Sequence, residues 1–247
     1  MDPLMQPLET KKGFPFFVLP IAIIALVIFA LKIFFLPPLI TKKVEAFVTK
    51  EWLTPLDTGK RKDWNSLLVP RKGRFLEERP AYSHLEAHFH TGIDIQNRRH
   101  RGGPGEPVYA AAKGKVYDVK VQGEGTRVTV LHLLPNGELV YTSYIHVADV
   151  RVKKGMKVNP STVIARRLNR EELKKYGQIY NHLHFQIHKS QFVPQDTILS
   201  KSREQVKERF YDPKEFFYHH PADSVPDWRQ WVKEGKISLW KLFWTVF

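Results

Sequence analysis

Apolar and polar positions alternate through "NHLHFQIHKS", residues 181 to 190, and this period of two predicts a β-strand with unlike faces. Leu183, Phe185 and Ile187 point to one side, while His182, His184, Gln186 and His188 point to the other. One face suits a core and the other the floor of a groove, where His182 and His184 can lie near one metal ion. Similar texture runs from about Arg74 to Phe192, where "PVYAAAKGKVYDVKV", "TRVTVLHLL" and "LVYTSYIHV" read as strands and "PNGE" places an Asn136-Gly137 hairpin turn between the last two. The pattern predicts a mainly β domain of antiparallel hairpins over residues 73–192. "NREELKKYGQIY" interrupts it with helix-forming residues and is expected as a loop with a helical turn over one end of the groove.

Outside this domain the pattern changes. After a short tail, residues 1–13, "FPFFVLPIAIIALVIFA" carries no charge from Phe14 to Ala30, and its apolar character resumes after Lys32 to Ile40. Residues 14–40 are long enough for a transmembrane helix. Lys11 and Lys12 would suit the start of a signal peptide, but "FALKIFFLPP" lacks small residues for cleavage, so an uncleaved anchor is expected. Residues 41–72 are polar, basic and interrupted by prolines, which reads as a juxtamembrane linker, with Lys60, Arg61 and Lys62 as a solvated or lipid-facing patch. Residues 193–247 read as a partly helical extension. Trp240, Phe243, Trp244 and Phe247 fall there at helical spacing, expected as an aromatic face packed on the domain, with an interfacial helix as the competing reading.

A formal net charge of +14 points to an anionic partner such as nucleic acid, lipid headgroups or an acidic wall polymer. No nucleic-acid motif is present, and none is expected as a partner. The absence of cysteine excludes disulfides and thiolate ligands, so a zinc site must use histidine and carboxylate. Lysines flank the apolar segment on both sides, Lys11 and Lys12 before it and Lys42, Lys43 and Lys50 after it, so their count opposes an extracytoplasmic domain, though long domains cross largely regardless of charge.

"HFHTGIDIQ" adds His90 and Asp94. Residues four apart on a straight strand lie about 13 Å from one another, so the chain must bend between them, at Gly92, if both are to hold one ion. "HHPAD" repeats the H-x-x-x-D spacing and "HFH" the H-x-H spacing, so neither is informative alone. The series "HTGIDI", "GEPVYAAAKGKV", the hairpin with "YTSYIHV", "VKKGMKVNPSTVIA" and "HLHFQI", in that order, resembles the lysostaphin-like (LytM-type) zinc endopeptidases that cut peptidoglycan peptides, over roughly residues 84–189.

That resemblance implies an antiparallel β-sheet groove with Zn2+ held by His90, Asp94 and His184, and with His146 and His182 as catalytic histidines. Two imidazoles and one carboxylate leave a fourth position for water, the arrangement of a catalytic zinc site. Without an H-E-x-x-H helix, His146 and His182 would handle protons and the oxyanion. Val140, Thr142 and Tyr144 share the face of His146, and Tyr144 is a further candidate hydrogen-bond donor to the oxyanion. The expected protein is a membrane-anchored peptidoglycan endopeptidase on the outer side of the cytoplasmic membrane. Alternatives are a non-catalytic regulator of another wall hydrolase and a peptidase acting on a protein. Two places depart from the family pattern: "RFLEERPAYSHLEAHF" stands where a Phe-Gly-x-Arg element is common, and "KKYGQIYNHLHFQ" stands where the family has a glycine-rich loop ending in Gly-x-His-Leu-His-Phe-Glu, with Asn181 and Gln186 at the altered places. Of the other histidines, His132 is expected to be structural and His84, His88, His100, His188, His219 and His220 to lie on the surface.

Overall fold

The computed structural model describes residues 36–81, 86–98, 103–189, 201–220 and 227–247. Two compact units divide at Lys42 and Lys43, and the sheets and the site belong to the larger, Lys43–Phe247. Its strands are β1 (Leu67–Leu68), β2 (Glu78–Arg79), β3 (His88–Phe89), β4 (Ile93–Asn97), β5 (Pro107–Tyr109), β6 (Gly114–Lys120), β7 (Arg127–Leu133), β8 (Leu139–Ile145), β9 (Val147–Ala148), β10 (Lys157–Val158), β11 (Val163–Arg167), β12 (Leu183–Lys189) and β13 (Phe210–Tyr211). The main sheet runs β1-β4-β12-β8-β7-β6-β10, with β13 also pairing to β12, and a smaller one runs β5-β11-β9. All the strand pairs named here are antiparallel.

The β7–β8 hairpin supplies the centre of the sheet. Its strands are rich in β-branched and aromatic residues, and every position along both is buried. The turn forms where Asn136 and Gly137 stand: Gly137 has φ +85°, Gly137 N–H donates to Leu134 O, and Asn136 Oδ1 accepts from Glu138 N–H. Parity then divides the sheet. Val128, Val130, Val140, Tyr144, Leu183, Phe185 and Ile187 join one apolar cluster with Val108, Ala110, Ile164 and Ala165 around the smaller sheet. Thr129, Ser143, His184, Gln186 and His188, all buried, take the other face.

Several expectations are corrected here. The apolar residues 14–35 lie outside the described residues, and the helix that follows, α1 (Leu36–Phe47), has 12 residues. Among the described residues no helix is long and apolar enough to cross a membrane, which overturns the expected single-pass membrane localisation. Residues 43–72 are no linker: Trp52, Leu56, Trp64 and Leu67 belong to the core, and β1 pairs with β4. Apolar residues spread singly among prolines and lysines hide this role, because each fills a separate gap in the core. Arg61 is likewise occupied, donating to Thr54 O, Pro160 O and Ala110 O.

At the other end of the chain, α2 (Arg170–Tyr176) is the expected helical insertion, closed by a capping box between Asn169 and Glu172. Beyond β12 come α3 (Arg203–Arg209), α4 (Pro213–His219), α5 (Trp228–Lys233) and α6 (Leu239–Val246). In α6 the buried stripe is Leu242 and Val246, one turn apart. Trp240, Phe243, Trp244 and Phe247 are exposed, so the aromatic face is not the packed one.

His132 is structural, as expected. It lies wholly inside the core, its Nδ1–H donates to Lys113 O at 2.7 Å, its Nε2 meets Thr142 Oγ1 at 2.8 Å, and burial pushes its pKa down to about 4. An unfolded histidine titrates near 6.5. Between those values the unfolded chain holds a proton that the folded chain lacks, so this contribution is full above about pH 6.5 and is lost as pH falls toward 4. His132 alone should remove about 2 kcal/mol of unfolding free energy between pH 7 and pH 5. Urea unfolding of the metal-free chain at both pH values checks this, and His132→Asn should flatten the slope.

Candidate metal centre and groove

Register brings Asp94 and His184 together, since β4 and β12 are antiparallel and these two residues are direct partners. His90 joins them from the bend before β4. The bend depends on glycine for space: a Cβ on Gly92 would stand 2.4 Å from Phe185 O and 2.8 Å from Gln186 Cβ. The need is close approach of two backbones, not an unusual φ. A strap before β3 holds His90 in place, with His90 N–H donating to Glu77 O, Leu76 N–H donating to His90 O, and His90 Nδ1–H donating to Arg74 O at 2.8 Å. The last bond leaves Nε2 of the neutral ring as its ligand atom.

Three candidate ligand atoms result. His90 Nε2 lies 2.9 Å from His184 Nδ1, and Asp94 Oδ1 lies 3.2 Å and 3.1 Å from the two nitrogens. Zinc bonds of about 2.0–2.1 Å at tetrahedral angles separate neighbouring ligand atoms by about 3.3 Å. The triangle is within a few tenths of an ångström of that, and this buried group can hold a metal ion. Burial pushes His90 down to about 4, which keeps its ring neutral and fit to coordinate. For Asp94 burial acts upward but is outweighed by the His182 charge and by hydrogen bonds from His182, His184 and His90, so its carboxyl is held well below the usual range. Its other oxygen, Oδ2, accepts from Arg79 Nη2 at 2.5 Å.

His182 immediately precedes β12 and carries its Nε2 3.2 Å from Asp94 Oδ1. His146 reaches the same place by a backbone reversal. Strand parity would send it to the core with Tyr144, but β8 ends at Ile145 and His146 has φ +64°, a left-handed conformation costing a residue with a Cβ roughly 1–2 kcal/mol. The turn sets its ring edge-to-face on His182, with centroids 4.9 Å apart, and beside Tyr180 at 5.0 Å. His146 Nδ1–H donates to Glu124 O at 2.6 Å, and burial, then the His182 charge, push its pKa down to about 3. Its Nε2 is therefore an acceptor.

The structure thus brings together His90, Asp94, His146, His182 and His184. It excludes Tyr144, which is fully buried, accepts from Ala111 N–H and pairs with Thr142 inside the core. His188 is also corrected, since it is buried beneath Phe210 and bonded to Gln186 and Ser143, while His84 and His100 lie outside the described residues. Sequence reading missed Arg79, Arg74 and Glu124 as partners of the site. The last two act through backbone carbonyls, which carry no side-chain signature, and Arg79 comes from the stretch that departs from Phe-Gly-x-Arg.

Asn181, the other departure, anchors the loop before His182: its Oδ1 accepts from buried Arg167, which also pairs with Glu106 at 2.7 Å. The loop is thus fixed by a buried guanidinium.

Residues 88–197 match the family described as Peptidase family M23. No curated protein matches the chain significantly. Among solved structures, lysostaphin from Staphylococcus simulans is 17% identical over 73% of this chain and 62% of its own, with a TM-score of 0.43. The structure titled for LytU is 25% identical over 62% of this chain and 90% of its own, with a TM-score of 0.39. A zinc-containing peptidase from Vibrio cholerae is 21% identical over 56% of this chain and 37% of its own, with a TM-score of 0.38. This chain spans 60% and 62% of two lysostaphin chains it matches. Residues 88–197 thus match peptidase family M23, and the chain is similar there to the LytM-type peptidases.

Proposed function

We propose that the protein is a zinc endopeptidase that hydrolyses peptide bonds of peptidoglycan. The observation that carries this reading is the ligand triangle of His90 Nε2, Asp94 Oδ1 and His184 Nδ1, with two further histidines beside it. Two neutral imidazoles and one carboxylate suit zinc and leave a coordination position open. Zinc held there supplies Lewis acidity toward a peptide carbonyl and toward water.

The chain's own residues do the rest. Arg79 occupies Asp94 Oδ2 and leaves Oδ1 facing the two imidazoles. His146, with Nδ1–H spent on Glu124 O, offers Nε2 as a proton acceptor in the groove. His182 stands edge-on to it and within reach of the same small volume, placed to pass a proton or to donate to a developing oxyanion. In this reading the peptidase domain is residues 73–192, buttressed by the core residues of 43–72 and by α3 to α6. Peptidoglycan as substrate rests on the family and on the chain's charge of +14, which suits an anionic wall polymer.

The test is incubation of the purified, zinc-loaded full chain with peptidoglycan, following release of new amino groups with and without a chelator. Release that the chelator stops is expected, and fragment masses would name the bond. No release from folded, zinc-loaded protein would overturn the enzyme reading and leave the regulator.

A further inference from the structure

His184 presents Nδ1 to His90 and Asp94, so its opposite nitrogen must find a partner in the buried floor. That partner is Gln186, two residues along the same face of β12. Gln186 is 2% exposed, and its Oε1 lies 3.0 Å from His184 Nε2 and 2.9 Å from Thr91 Oγ1, which donates to it. Its Nε2 lies 2.8 Å from His188 Nε2, which Ser143 Oγ also approaches at 3.1 Å.

The network fixes which way the amide faces. Coordination through His184 Nδ1 requires the proton on Nε2, and that proton needs an acceptor, which only the amide oxygen supplies. With Oε1 toward His184 and Thr91, the amide's NH2 faces His188 Nε2, an acceptor on a neutral ring. Reversing the amide would set NH2 against the Thr91 donor and the His184 N–H together. Every bond in the chain from Thr91 through Gln186 to His188 therefore agrees with one tautomer of His184.

We propose that Gln186 is the positioning residue of the metal centre, holding His184 in the Nε2–H tautomer with Nδ1 turned to the ion, and that His188 and Thr91 lock the amide in that orientation. The proposal rests on the metal reading above and extends it to a part of the floor where this chain departs from its family pattern. A neutral amide orients the ligand without adding charge beneath it, whereas a carboxylate at this position would also raise the imidazole's basicity. Gln186 thus orients the imidazole without that electrostatic contribution.

Zinc affinity of the full chain, measured by competition with a chromophoric chelator, tests this without relying on catalysis. Outer-shell partners of ligand histidines typically change affinity by about 10–100-fold. Gln186→Met, which keeps length but has no acceptor for the imidazole N–H, should weaken zinc binding by about that factor, while Gln186→Glu should restore it to wild-type tightness or better. Gln186→Leu serves as the second truncation should the Met variant fail to fold. Thermal unfolding of the metal-free variants monitors the fold. A folded Met or Leu variant that binds zinc as tightly as wild type overturns the proposal, as does a Glu variant no tighter than Met. Failure of the underlying reading looks different: wild type would then bind no stoichiometric zinc, or His184→Ala would bind it equally well.

Discussion

Replacing His184 or His90 with alanine is expected to strip the chain of zinc and of activity together. Each contributes one atom to a triangle whose edges are 2.9–3.2 Å, and among the described residues no further side chain joins the group that can hold the ion. The nearest alternatives do not complete the triangle: His182 lies 3.2 Å from Asp94 Oδ1 but outside the three-residue group, and His188 is bonded to Gln186 and Ser143. Four-ligand zinc sites bind with about 10–16 kcal/mol, so one ligand is worth roughly 3 kcal/mol, or about 10²–10³ in affinity. Peptide release should fall to background at micromolar zinc, and a large excess of zinc should recover little, because the ligand that was lost also shaped the open position. Zinc content after dialysis and peptide release in the same samples check this. Full activity in either variant would remove the metal from the mechanism.

The sheet and the site were unequally legible in the sequence, for physical reasons. Period-two alternation in β12 and the Asn-Gly turn between β7 and β8 are local signals, and both formed as read, because neighbouring residues alone dictate strand parity and a turn that needs one positive φ, at Gly137. The five site residues came from a motif series; register sets Asp94 opposite His184, and the bend before β4 and the reversal at His146 bring in His90 and His146. What failed depended on distant packing. Trp52, Leu56 and Trp64 resemble linker residues until the core they fill is known. His188 alternates with Ile187 as a surface residue would, and only the cover of Phe210 buries it. His146 followed Tyr144 by parity, and a single positive φ undid the inference for Tyr144 while keeping His146 in the groove. Parity holds within a strand and says nothing past its last residue.

Loss of either groove histidine should give the second large effect, and one of a different kind: His146→Ala and His182→Ala keep their zinc but lose about 10²–10⁴ in kcat, the range for a positioned acid–base group. Zinc is retained because the ligand triangle does not include them. His146 spends Nδ1–H on Glu124 O, and its substitution leaves that carbonyl beside the solvent of the groove, so the fold should survive. His182 meets Asp94 only at the oxygen already shared with His90 and His184. The rings stand edge-to-face at 4.9 Å, close enough to act on one reacting group, which makes the double variant the informative one. Groups that act as a unit are non-additive, so His146→Ala with His182→Ala should be only slightly slower than the worse single variant. Losses that simply multiply would assign the two histidines to independent steps. Single variants at wild-type rates, with zinc present, would place the proton chemistry elsewhere in the groove.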